Sequence, residues 1–134
     1  MTNSREMSQL GLATHTRLRA LRGAITVDQD TPQAVEEAVA ALISAIQGAN
    51  CLSPDDVISA IFSVTPDIRS RNPATAARSH GWDQVPMLCV AELMVEDAMP
   101  RCIRLLVHLE MDAAAPLHHQ YLHEARALRP DRAG

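Results

Sequence analysis

The sequence predicts a mixed α/β fold, a five-stranded β-sheet with helices on one face. Three observations predict it. Two helical patterns, each opened by a cap residue and a proline, are interspersed among β-branched runs. The connections between those runs are too uneven in length for a repeating βαβ series, so the sheet is expected to be mixed. One run, Arg101-Cys102-Ile103-Arg104-Leu105-Leu106-Val107-His108-Leu109, has the density of a core strand but carries a guanidinium in its middle. Strand side chains alternate, so Ile103, Leu105, Val107 and Leu109 share one face and Cys102, Arg104, Leu106 and His108 the other. Arg104 therefore needs an anion, because desolvating an unpaired charge costs more than packing its stem returns. On this strand alone an internal carboxylate, Glu92 or Glu110, is the simpler partner, and an anionic ligand is the alternative.

With 134 residues, 47% hydrophobic content and a net charge of -4, the chain suits one globular domain with an ordinary core. Phe62, Trp82 and Tyr121 are the only aromatic residues. Stacking platforms are therefore scarce, and with the acidic balance this argues against nucleic-acid binding. Cys51, Cys89 and Cys102 are odd in number and lack CxxC spacing, which indicates neither a disulfide framework nor a zinc ribbon and suggests a reducing cytoplasm. No apolar run approaches the ~18 residues of a membrane span, and no signal-peptide pattern opens the chain.

Residues 1–16 lack a sustained period and are expected to form a flexible extension; the folded domain is expected over 17–131, and 132–134 form a short tail. Arg17 to Arg22 alternate as a short strand, with Gly23 permitting a change of direction after it. Thr31-Pro32 opens a helix whose stripe of Val35, Ala38, Val39, Leu42, Ile43 and Ile46 ends at Gly48. Ser53 to Asp56 make a turn, Val57 to Val64 a central strand, and Thr65-Pro66-Asp67 stops it. Asn72-Pro73 opens a second, short helix ending near Gly81, and Trp82 after it is expected to be a core or interface anchor. Pro86 to Val90 read as a strand reaching Glu92; for Cys89 and Glu92 to face one site, the chain must bend after Val90. His118 to Tyr121 suggest a helical turn, and Glu124 to Arg129 a last strand.

No nucleophile elbow, P-loop, GxGxxG or HExxH is present. The six histidines lack any spacing that strongly specifies a metal; His119 and His123 are four apart and could share a helical face, but a solvated or structural role is the simpler reading, and no metal is expected. Cys89 reads most simply as a small buried hydrophobe. What remains is a set of arginines near element ends, Arg22, Arg78, Arg104 and Arg129, with Glu92 and Tyr121. Such a set suits a small polycarboxylate, since guanidinium pairs with carboxylate bidentately. It offers few proton-transfer groups, so any catalysis would rest on orientation and electrostatics.

An ordered series of short motifs adds to this reading: Arg22-Gly23-Ala24-Ile25-Thr26-Val27, Thr65-Pro66-Asp67, Gly81-Trp82 with Val85-Pro86, Cys89-Val90-Ala91-Glu92, Cys102-Ile103-Arg104, and Tyr121-Leu122 leading to Leu128-Arg129-Pro130-Asp131. Their order and spacing from Arg19 to Asp131 resemble the AroH-class monofunctional chorismate mutases. The resemblance implies a homotrimer of pseudo-barrel form with sites between subunits, and the conversion of chorismate to prephenate without a cofactor, in aromatic amino acid biosynthesis.

It further implies roles for named residues. Arg104 would hydrogen-bond the ether oxygen and a carboxylate, Arg22 would clamp a carboxylate, Tyr121 would donate to one, and Glu92, with Cys89 beside it, would accept from the ring hydroxyl. Arg78, Met87, Leu88, Asn72, Ala74, Thr75 and Leu128 would line or flank the pocket. Asn72 replaces an aromatic residue and Thr75 a commonly basic one, which implies a more polar or open rim. With the resemblance, the anionic ligand becomes the preferred partner of Arg104. Two rival functions stay open: a metabolite sensor without turnover, and a trimeric enzyme acting on another small carboxylate at the subunit interface.

Overall fold

A computed structural model describes residues 15–129; of the expected extension over 1–16, residues 1–14 lie outside the described residues, as does the tail over 132–134, whereas Thr16 already belongs to the first strand. The elements are β1 (Thr16–Thr26), α1 (Pro32–Asn50), a 3₁₀ turn (Pro54–Asp56), β2 (Val57–Val64), α2 (Pro73–Ala77), β3 (Met87–Ala91), β4 (Cys102–Asp112), β5 (Gln120–Leu122) and a closing 3₁₀ segment (His123–Leu128). The five strands form one sheet in the order β3-β2-β4-β1-β5. β4 pairs antiparallel with β1 and β2, whereas β3 joins β2 and β5 joins β1 in parallel, so the sheet is mixed as expected.

The alternation read from β4 decides the layering. Ile103, Leu105, Val107 and Leu109 are buried with Leu21 and Ile25 of β1, Phe62 of β2, and the α1 stripe. Fully burying each such side chain contributes about 1.5–3 kcal/mol. Both helices lie on this face, since Ala74, Ala76 and Ala77 of α2 enter the same core. Trp82 is fully buried, and its Nε1 donates to Gln47 Oε1 at 3.1 Å, so the indole packs without stranding its donor.

Several local expectations are corrected. Gly23 does not turn the chain: β1 runs straight through it to Thr26. Its role is close approach, because a Cβ there would come within 3.1 Å of Ile46 Cδ1, 3.2 Å of Leu42 Cδ1 and 3.3 Å of the Gln120 carbonyl oxygen. Gly48 does not end α1 either. The helix continues to Asn50, whose side chain donates to the carbonyls of Ile46 and His118, and Cys51 takes the left-handed cap conformation at φ 52°. The last strand lies earlier than expected, at Gln120–Leu122, and Glu124 to Leu128 coil instead. Glu, Ala and Arg are poor strand formers, whereas Tyr121 suits a pleated surface and pairs with Ala24.

The acidic residues around the start of α1 hold the segment that carries α2. Asp30 accepts the backbone N–H groups of Arg69 at 2.9 Å and Ser70 at 3.0 Å. Glu36 pairs with Arg71 at 3.6 Å and His80 at 3.5 Å. The neighbouring Ser70 hydroxyl and the two N–H donors hold the Asp30 carboxyl below its ordinary 3.8.

Two tests follow from this packing. Gly23→Ala should destabilise the fold by about 1–3 kcal/mol by crowding α1 and β5 against β1, measured by urea unfolding. The Asp30 contribution is present at neutral pH and lost as pH falls through and below 3.8, since its folded value is the lower one. The stability difference between the natural protein and Asp30→Asn should therefore shrink to nothing in acid.

Candidate active site

Among the described residues no α-helix covers the second face of the sheet. Register places Arg22 and Ala24 of β1, Ile61 and Ser63 of β2, and Arg104 and Leu106 of β4 side by side on it, because Ser63 lies opposite Arg104 and Arg104 opposite Ala24. The closing 3₁₀ segment folds over one end: Tyr121 and Ala125 are buried against Ala24 and Cys102, with Leu128 packed beside them. A cavity of about 330 Å³ opens here, lined among others by Arg22, Ser63, Arg104, Tyr121, Leu128 and Arg129.

The charged centre of this face is the Arg104–Glu92 pair, with Arg104 Nε 3.4 Å from Glu92 Oε1. The internal carboxylate considered from sequence is thus present, but it does not satisfy the guanidinium. Arg104 Nε and Tyr121 Oη are both buried, and neither has a hydrogen-bond partner among the described residues. The Arg104 side chain as a whole is 40% exposed, so its outer end reaches the cavity. Leaving such groups unpaired costs about 1–3 kcal/mol each, which marks a place prepared for acceptor oxygens. Ser63 Oγ donates to Glu92 Oε2 at 2.5 Å. Behind the cavity the Arg22 backbone N–H donates to His119 Nδ1 at 2.9 Å, so the histidine anchors the strand beneath the arginine.

The residues expected at the site divide into two groups. Arg104, Arg22, Tyr121 and Leu128 line the cavity, and Glu92 joins them through Arg104 and Ser63. Cys89 and Met87 do not: they pair with Phe62 and Ala60 and pack toward the helix layer. The expected bend after Val90 is also absent, because plain alternation along β3 sends Val90 and then Glu92 to the cavity face and Cys89 to the other. Glu92 keeps that direction because its N–H donates to Val64 O at 2.9 Å. Leu88 faces the cavity side on the outermost strand, 65% exposed and outside the lining.

The α2 residues lie beyond the sheet. Asn72 Oδ1 accepts the Ala74 N–H as a helix cap, Ala74 is buried in the core, and Thr75 and Arg78 are exposed on the helix layer. Ser63 and Ile61 were missed from sequence. Their alternation within β2 was legible, but only the pairing with β4 reveals that they adjoin Arg104.

Burial pushes the thiols of Cys89 and Cys102 above their ordinary range, and the Arg104 cation beside Cys102 only partly opposes this. Neither is a ready thiolate. Among the described residues no group of three His, Cys, Asp or Glu side chains could hold a metal ion, and no helix is long and apolar enough to cross a membrane.

Comparison with known proteins decides what this arrangement belongs to. The family model described as chorismate mutase type I matches residues 18–132. The chain belongs to the type I chorismate mutases. It is 41% identical over 116 residues to the chorismate mutase AroH of Thermus thermophilus, an alignment covering 85% of this chain and 95% of that protein. It is 34% identical over 116 residues to the chorismate mutase AroH of Bacillus subtilis, covering 85% and 91%. Among solved structures, a chorismate mutase from Clostridium thermocellum superposes with a TM-score of 0.76 at 33% identity, covering 81% of this chain and 98% of that one. Membership makes the chain an isomerase of the chorismate mutase type.

Proposed function

We propose that the cavity on the open sheet face is where this enzyme rearranges chorismate to prephenate, with Arg104 as its main electrostatic group. The observation that carries this assignment is that Arg104 Nε and Tyr121 Oη, both buried, have no hydrogen-bond partner among the described residues and stand beside the exposed Arg22 in a cavity whose lining also includes Ile61, Leu106 and Leu128. The rearrangement breaks the ether C–O bond as a C–C bond forms, and it needs no nucleophile and no proton transfer. Negative charge gathers on the ether oxygen, where a preorganised guanidinium lowers the barrier most. Arg22 would clamp a carboxylate, Tyr121 would donate to a carboxylate, and Glu92 would accept from the ring hydroxyl. Holding the enolpyruvyl arm over the ring supplies proximity; a ~10⁶-fold acceleration requires only about 8 kcal/mol from positioning and charge together.

The site is read as completed by a neighbouring subunit of a homotrimer. Two observations support this. Away from the closing 3₁₀ segment the cavity face carries no covering element among the described residues, and it continues into the exposed apolar residues Leu88 and Val90, with Leu93, Met94 and Val95 exposed just beyond β3. Asn72, Thr75 and Arg78 are exposed and lie away from the cavity of their own protomer, as residues serving an adjacent site would. The three free cysteines suit a reducing cytoplasm.

The direct test follows the ultraviolet absorbance of chorismate with and without protein, with acid conversion of prephenate to phenylpyruvate as the product check. Arg104→Ala should lower turnover by at least ~10³-fold with the fold intact, and Arg104→Lys by ~10²–10³-fold, since one ammonium cannot reproduce the planar fork. Near-normal turnover in Arg104→Lys would refute the assignment. Light scattering should return the mass of three chains; the mass of one would refute the shared site.

A further inference from the structure

We propose that Ser63 is a positioning residue for the reaction, one that keeps Glu92 from closing onto Arg104. The inference rests on the roles of Arg104 and Glu92 proposed above and goes beyond them.

Its basis is the way three strands meet. Ser63 of β2 lies opposite Arg104 of β4 and beside Val90 of β3, and Glu92 is the next residue after Val90 to point toward the same face. The Glu92 backbone is tied to Val64 O, so its side chain starts from a fixed point beside Ser63. Among the described residues the carboxylate then has one polar partner per oxygen: Oε2 accepts from Ser63 Oγ, and Oε1 lies 3.4 Å from Arg104 Nε. A carboxylate next to a guanidinium ordinarily turns to pair through both oxygens, the geometry that suits the planar fork. Here the hydroxyl occupies one oxygen, and the ion pair stays single.

That restraint matters for catalysis. A guanidinium engaged through two parallel bonds to Glu92 has fewer N–H groups to offer a developing negative charge. One engaged loosely through Nε leaves its outer end, which reaches the cavity, for the substrate. Ser63 itself lines the cavity, is neutral and carries no proton needed by the rearrangement. Its contribution is therefore to the direction of its neighbours. A group that spares Arg104 for the transition state should act on kcat more than on KM.

The test is steady-state kinetics of Ser63→Ala and Ser63→Thr beside Arg104→Ala, with thermal unfolding of each. Ser63→Ala removes one oxygen from a half-buried strand position, and the expected result is a kcat lower by on the order of 10-fold, KM within about 2-fold, and an unchanged melting temperature. Ser63→Thr keeps the hydroxyl on a strand-favouring side chain and should recover most of the lost kcat. Wild-type kcat in Ser63→Ala, or equal losses in the Ala and Thr variants, would overturn the proposal. Full activity in Arg104→Ala would instead overturn the site assignment itself, so the two failures are distinguishable.

Discussion

A strand must send alternate residues to opposite faces, and in β4 this geometric rule separates oil from charge. Ile103, Leu105, Val107 and Leu109 build the core with both helices, while Arg104 and its even-numbered neighbours face the other way. Arg104 Nε is buried with a 3.4 Å ion pair to Glu92 but no hydrogen bond among the described residues, a weak pairing that the well-packed opposite face of the same strand offsets. Stability and chemistry thus occupy two sides of one layer, and each element can be understood by the side it serves. α1 needs Gly23 to approach the sheet closely; β5 and the closing 3₁₀ segment bring Tyr121 and Leu128 over the other side.

This division explains what could be read from the sequence. The central strands, the capped starts of both helices and the oily stripe of α1 were legible because periodicity and proline placement are local signals. The glycines were not, because a glycine that breaks the chain and one that admits a neighbour look alike. Only the partner at 3.1 Å distinguishes them. The last strand was misplaced for a similar reason: three residues pair with β1 there, too few to leave a pattern.

The site was legible in its motifs but not in its grouping. Arg22, Arg104 and Tyr121 lie around one cavity, and Glu92 adjoins them through Arg104. Cys89 does not join them within the protomer, because one residue of phase separates it from Val90 and sends it to the helix layer. Asn72, Ala74, Thr75 and Arg78 sit on that layer too, and the sheet separates them from the cavity, a separation that only the three-dimensional layering reveals. Ser63 shows the complementary difficulty. A serine in a strand announces nothing until the register names its neighbours.

The bulge in β2 bears on how this molecule can change over generations. Between Val57 and Ser59 the strand accommodates one extra residue, and from Ala60 onward its phase with β4 is unbroken. Deleting or inserting one residue beyond that point would exchange the two faces of β2, carrying Ser63 to the core and Phe62 to the cavity. Single substitutions can tune the cavity side while the core side stays as it is. Length changes cannot. A change in chain length is therefore accommodated at the bulge and the connections, and the cavity is altered by exchange of side chains on a strand frame of constant phase.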